Sequence, residues 1–414
     1  MTGLRAFPPL TATTTALTAT PPLIGLLDAF DPLAFIRNRD GIVGLGVALR
    51  IEFSGASRLQ DAAEAWRAVV AAATVTDSVA CAGTGLIAFG SFTFAAGSGS
   101  TSVLIVPSVI IGRHGDVSWM TRIGDAGAEL PEAVPLGQPF PVTFSAGLMT
   151  AEGYVAAVSA TVQSITSGAA RKVVVARDLT AQIPDDADLR LPLGALAAAY
   201  PDTFTFAVDG MIGSSPETLV RARNGIVSAR VLAGSAARGS DPTADARAAA
   251  ALAASPKDLA EHAFALSSVL DALGPRSSGL VANQRPFPLQ LRNIWHLASD
   301  VTGALTDGSS ALDLLSAMHP TAAVAGDPTD AALSLIAELE PFDRGRYAGP
   351  VGWVDGNGDG EWAIALRCAQ VSEPRAGSRT VTAYAGAGIV GESDPNRELA
   401  ETELKLSPVV DAFR

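Results

Sequence analysis

The sequence predicts an α+β protein. Apolar, β-branched runs follow one another as meanders from Leu86 to Trp119, and again across Arg346–Val354, Glu361–Val371 and Thr380–Ala385. Helical stripes with their own start signals stand apart from these meanders. Asn224-Gly225 joins two alternating runs, the type I′ signal of an antiparallel hairpin. No fixed-period repeat and no linker composition interrupts the 414 residues, so one compact body spanning 1–414 is expected.

Taken in order, residues 1–30 are rich in Thr, Ala and Pro and are expected to wrap or fray. Ile42 to Phe53 alternates like a strand. Ser57 to Val75 carries Leu59, Ala62, Ala63, Trp66, Val69 and Val70 at helical spacing behind a Ser cap. Val155 to Ser167 reads as a helix, Lys172 to Arg177 as a strand, Leu191 to Ala199 as a short helix and Thr203 to Val208 as a strand. Asp241 to Ala253 is helical. Ser255-Pro256 then caps and opens a second helix to about Leu273, with Asp258 at the capping-box position. Asn293 to Leu305 begins strand-like, Ala311 to Met318 is helical, and Asp327-Pro328 opens a capped helix ending near Leu339. Pro395 to Phe413 closes the chain as one helix or two.

Composition narrows the function. A net charge of −13 without any basic run disfavours nucleic acid and anionic membranes as partners. Two cysteines, Cys81 and Cys368, are too few for a disulfide framework or a zinc site. With no signal-peptide pattern and no apolar run of spanning length, a cytoplasmic protein is expected. There are three lysines, Lys172, Lys257 and Lys405, against 26 arginines. Arginine cannot accept a proton in a protein whereas a desolvated lysine can, so each lysine is a functional candidate.

The stretch Gly213–Gly239 concentrates the chemistry. Ser214-Ser215-Pro216 delivers Glu217 at the mouth of an apolar strand, and the return strand ends in the small-residue corner Ala233-Gly234-Ser235-Ala236. Two other motifs fail on context. Asp355-Gly-Asn357-Gly-Asp359-Gly360 starts like a calcium-binding EF-hand loop, but its twelfth position is Leu366 where a bidentate Glu is needed, and its flanks read as strands. Gly386-Ala-Gly388-Ile-Val-Gly391 satisfies GxGxxG but has neither the helix nor the second strand of a dinucleotide fold.

The pair SPE…LAGS resembles a signature of the chorismate-utilising enzymes: isochorismate synthases, salicylate synthases and the large subunits of anthranilate and aminodeoxychorismate synthases. The blocks RKVVVAR, SSPE, LAGSAARG, KDLAEH, NIWHLAS, HPTAAVAGDP, AELEPFDRGRYAGPVGW, GEWAIALRCA, AGAGIV and AETELKL follow in the family's order. Family-like motifs concentrate in 155–412, whereas 1–150 matches loosely and reads as a variable part of the same body. The resemblance implies two large antiparallel sheets packed together, helices outside, and an active site in a cleft between layers.

Isochorismate synthase is the member most resembled. It implies that water adds at C2 of chorismate while the C4 hydroxyl leaves. That reaction needs a base, an acid and cations for the substrate carboxylates. By position, Lys172 is then the general base and Glu217 the general acid, whose pKa would have to rise. Glu261 and Glu401 take the Mg2+ positions, which suits a cation content with two carboxylates plus water and substrate oxygens. Arg367, Lys405 and the backbone N–H groups around Gly386 and Gly388 are the carboxylate donors, and Ser235 and His296 line the ring pocket. Glu338 is implied as a further carboxylate near the site. As structural alternatives, Lys257–Glu261 and Glu401–Lys405 are both spaced i, i+4 and could be surface ion pairs worth a few tenths of a kcal/mol.

Ala233 stands where the covalent aminodeoxychorismate type has its lysine, and Lys172 argues for water over ammonia. Ala323 resembles isochorismate synthases, because salicylate synthases usually carry a hydroxyl residue there. Salicylate synthase is the alternative, followed by a non-catalytic small-molecule-binding member of the fold. The implied partners are chorismate, isochorismate and a downstream isochorismate-consuming enzyme in menaquinone or siderophore assembly, with a monomer expected.

Overall fold

In the computed structural model, residues 7–19, 22–125 and 129–414 are described. Among them the strands form two sheets, one of thirteen strands and one of ten. Every strand pairing is antiparallel except that of Thr11–Leu17 with Thr74–Asp77. Central strands such as Phe204–Val208, Met211–Ser215 and Ile87–Ser91 are buried along their whole length. With both faces of the strand covered, these strands carry only apolar or small residues.

The sheets pack on each other through Phe35, Phe89, Phe204, Phe206, Leu104 and Trp362, all buried. Phe35 and Phe204 stack with ring centroids 5.0 Å apart. Burying each such side chain stabilises the fold by about 1.5–3 kcal/mol. The outer face of the larger sheet is covered by Leu193 and Leu196 from helix Arg190–Ala199, and by Val409, Val410 and Phe413 from helix Pro395–Phe413. Helix Pro256–Leu273 packs on the smaller sheet against strand Ile226–Ala237. Among the described residues, no helix is long and apolar enough to cross a membrane.

Several expectations hold. Asn224 and Gly225 have φ of 50° and 76°, as a type I′ turn between Thr218–Arg223 and Ile226–Ala237 requires. Ser255 accepts a hydrogen bond from the Asp258 N–H. Its own N–H goes to the Leu252 carbonyl, so only half of a capping box forms. Asp355–Gly360 is the hairpin turn between Pro350–Asp355 and Gly360–Ile364, with Asp355 Oδ1 accepting from the N–H groups of Asn357 and Asp359. Gly386 and Gly388 lie within strand Ser378–Ile389. Pro395–Phe413 is a single helix.

Others are corrected. Thr11–Leu17 does not fray: it is a strand that buries Ala12 and Thr14. The rest of the expectation for 1–30 falls partly on residues 1–6, 20 and 21, outside the described residues. Ile42 to Phe53 is two strands, Asp40–Leu45 and Leu49–Phe53, which belong to different sheets. The break falls at Gly46, whose φ of 62° suits glycine. Ser57 makes no cap bond to the helix backbone, and its hydroxyl donates to Asp61 instead.

Candidate active site

Two chain crossings between the sheets build the floor of the site. Met211–Ser215 belongs to the larger sheet and Thr218–Arg223 to the smaller, so Pro216-Glu217 is the link that passes between them. Gly360–Ile364 and Cys368–Val371 make the reverse crossing through Leu366-Arg367. The crossings are tied together: the Ser214 N–H donates to the Arg367 carbonyl at 3.1 Å and the Ile364 N–H to the Glu217 carbonyl at 3.2 Å. Glu217 is thereby buried in the cleft, and the Leu232 N–H donates to its carboxylate. Burial raises its pKa from 4.5 to about 7, against the pull of that hydrogen bond and of Lys172, Arg367 and Lys405.

Lys172 begins strand Lys172–Pro184 and is fully buried. Its Nζ lies 3.3 Å from Glu261 Oε1, on helix Pro256–Leu273. The contact is an ion pair by distance but is not aligned as a hydrogen bond, and among the described residues Nζ has no hydrogen-bond partner. Gly388 makes the contact possible. A Cβ there would sit 2.2 Å from Glu261 Oε1 and 2.9 Å from Lys172 Cε.

On helix Pro395–Phe413, Lys405 Nζ lies 2.5 Å from Glu401 Oε1 and donates to the Gly386 carbonyl at 2.9 Å. Gly386 can offer that carbonyl because Cys368 pairs opposite Tyr384, leaving the residues that follow with a strand on one edge only. Burial opposes ionisation of Glu401, but Lys405, Lys257 and Arg367 together hold its carboxyl below the ordinary range. Lys257 does not pair with Glu261. It reaches Glu398 at 2.6 Å, across to the C-terminal helix. Glu398 is a buried carboxylate that the sequence reading missed, raised by its burial and by Glu401 nearby. Its spacing three residues before Glu401, on one helix face, was the available signal.

The strand pairing Ser235↔His296 completes the pocket, after a bulge between Leu232 and Ser235 that turns on Gly234 with φ of 83°. Ser235 Oγ is 3.1 Å from His296 Nδ1, and Arg367 Nη2 is 2.9 Å from His296 Nε2. Eight predicted residues line one cavity: Glu217, Ser235, Glu261, His296, Arg367, Gly386, Gly388 and Lys405. Lys172 and Glu401 join it through their ion pairs. Glu338 does not. It is exposed, and the buried carboxylate of that segment is Glu340. Glu340 accepts from the Ala176 N–H at 2.8 Å and from Arg344 at 2.6 Å and 2.8 Å, while Arg344 also donates to the carbonyls of Val174 and Val324 beside the pocket.

The cavity holds about 50 Å³, well below the ~300–1000 Å³ typical of small-molecule sites, so ligand entry requires side chains to move apart. Larger cavities of about 280 and 690 Å³ open elsewhere, beside Phe35 and Trp353 and beside Pro22, but neither contains any of the three lysines. The residues that carry acid–base chemistry converge on the smaller cavity.

Residues 133–414 match the family model described as chorismate binding enzyme. The chain belongs to this family of chorismate-binding enzymes. It is 39% identical over 274 residues to isochorismate synthase DhbC of Bacillus subtilis, covering 63% of this chain and 68% of that one. To isochorismate synthase EntC of Escherichia coli it is 39% identical over 249 residues, covering 58% and 62%. The solved structure of MenF, the menaquinone-specific isochorismate synthase from Escherichia coli, superposes with a TM-score of 0.79 at 24% identity, over 99% of this chain and 96% of that one. That last likeness concerns the fold.

Proposed function

We propose that this chain is an isochorismate synthase, a single catalytic unit that interconverts chorismate and isochorismate by adding water at C2 and releasing the C4 hydroxyl. The observation that carries the proposal is a carboxyl with a pKa of about 7, Glu217, buried in the same cleft as the buried amine of Lys172. Acting as the neutral amine, Lys172 takes a proton from the attacking water as its oxygen bonds to C2. Glu217, its pKa raised to about 7 so that a large fraction is protonated near neutral pH, gives its proton to the C4 hydroxyl as that C–O bond breaks and the ring double bonds shift. One proton is accepted and one donated, so the reaction is an isomerisation, and a proton passed from Lys172 back to Glu217 through solvent after product leaves resets both groups. Arg367 and Lys405 supply fixed positive charge for the substrate carboxylates.

Glu261 and Glu401 would hold Mg2+. Among the described residues no three His, Cys, Asp or Glu side chains converge on one point, so protein groups do not form a closed metal cage. The site instead offers the buried carboxylate of Glu261 and the half-buried one of Glu401, an all-oxygen donor set of the kind Mg2+ accepts when water and substrate complete its shell. Bound there, the ion would supply positive charge to neutralise a substrate carboxylate. Ala323 lines the pocket, which supports isochorismate over salicylate as product. The two substrates contain the same kinds of bonds, so their equilibrium lies near unity and a downstream enzyme must draw isochorismate off.

The test is turnover in 18O-labelled water with Mg2+. Label at the C2 hydroxyl of the product, lost in Lys172→Met, supports the reading. Unlabelled product would overturn the water-addition step.

A further inference from the structure

The three polar groups at the smaller-sheet end of the pocket form a chain whose proton positions are fixed by what each atom can do. Arg367 has only donors, so the 2.9 Å contact from its Nη2 requires His296 Nε2 to carry a lone pair. A neutral imidazole then bears its hydrogen on Nδ1, which points at Ser235 Oγ at 3.1 Å and the Gly234 carbonyl at 3.3 Å. Both of those can accept. His296 is buried, and its surroundings keep it neutral: burial opposes the charged form, and Arg367 and Lys405 repel it. An imidazolium would also turn an N–H toward a guanidinium N–H.

Arg367 has reason to need holding. Its φ is 49°, in the left-handed region that costs a side-chain-bearing residue about 1 kcal/mol or more. Its guanidinium is buried, and among the described residues no carboxylate lies at ion-pair distance from it. The His296 nitrogen is the hydrogen-bond acceptor that meets its guanidinium.

We infer that His296 is a positioning residue: as the Nδ1-protonated tautomer it aims the Arg367 guanidinium at a substrate carboxylate and, by donating to Ser235 Oγ, leaves the serine hydroxyl hydrogen to point into the pocket. It exchanges no proton with substrate. The inference rests on the proposed dicarboxylate substrate only for what Arg367 grips, and the tautomer stands apart from it.

Two substitutions separate the contacts. His296→Asn keeps a donor near the Nδ1 position but loses the acceptor for Arg367. His296→Gln places an amide oxygen near the Nε2 position and can restore it. In H296N the KM for chorismate is expected to rise about 10- to 100-fold, the range for a hydrogen bond to a charged group, with a much smaller fall in kcat. H296Q recovers most of that loss, and in an Arg367→Ala background H296N adds little. The wild-type 15N spectrum, assigned by the signal missing in H296N, shows Nδ1 protonated and Nε2 bare. That spectrum needs no substrate, so it can be read even if chorismate is not turned over. An Nε2-protonated ring overturns the inference. So does a fall in kcat at unchanged KM, or equal damage in H296N and H296Q that follows their melting temperatures.

Discussion

Glu217→Gln should uncouple the protein's stability from pH in one defined window. In the folded protein Glu217 has a pKa of about 7, against 4.5 for an ordinary glutamate. Below pH 4.5 the carboxyl is protonated in both folded and unfolded chains and the shift has no effect. Between 4.5 and 7 the unfolded chain releases the proton while the folded one keeps it, so wild-type stability falls as pH rises. Above 7 both forms are ionised and the loss is complete. At 1.36 kcal/mol per pKa unit the total is about 3 kcal/mol. Glutamine is a neutral isostere and escapes it. E217Q is therefore expected to match wild type near pH 4.5 and to exceed it by about 3 kcal/mol at pH 8, while losing turnover. Urea unfolding of both proteins at several pH values measures this difference. Parallel stability–pH curves for the two proteins would refute the argument, because they would mean that Glu217 ionises freely in its buried position.

Lys172→Met should lower turnover by about 10²–10⁴-fold while chorismate still binds, as measured by steady-state kinetics and calorimetry. Gly388→Ala puts a methyl group 2.2 Å from Glu261 Oε1, so Mg2+ affinity and activity should fall together in a metal titration, whereas Gly274→Ala, with open space around it, should change neither. Arg344→Met leaves Glu340 as an unpaired buried charge and should cost about 3–5 kcal/mol in denaturant unfolding. Chelation of Mg2+ should abolish turnover, and Glu261→Gln or Glu401→Gln should raise the concentration needed to restore it.

Much of the candidate site was legible because chemistry that needs a proton-accepting amine leaves a mark in a lysine-poor chain. Lys172 and Lys405 could be singled out before any geometry was known. The family blocks supplied Glu217, Glu261, Arg367 and Glu401 in order. Contacts across the fold were not legible. The i, i+4 spacing of Lys257 and Glu261 suggested a local pair, yet Lys257 meets Glu398, 141 residues away, and Glu261 meets Lys172. Glu338 and Glu340 differ only in where the helix ends. The helix Thr329–Leu339 stops just before Glu340, so that residue turns inward while Glu338 stays on the exposed face. Sequence periodicity locates such boundaries only to within a turn. The Thr11–Leu17 strand was missed because Ala and Thr alternate weakly in hydrophobicity, although every second residue is buried near its start. The role of Pro216-Glu217 and Leu366-Arg367 as crossings between sheets follows from pairing partners far apart in the chain, which no local pattern encodes.

The central claim is tested most directly by a time course of purified protein with chorismate, followed by NMR or HPLC, with and without Mg2+. The account predicts a mixture that settles near equal chorismate and isochorismate, and only when the metal is present. Accumulation of salicylate and pyruvate, or no conversion by a folded protein that binds chorismate, would contradict it.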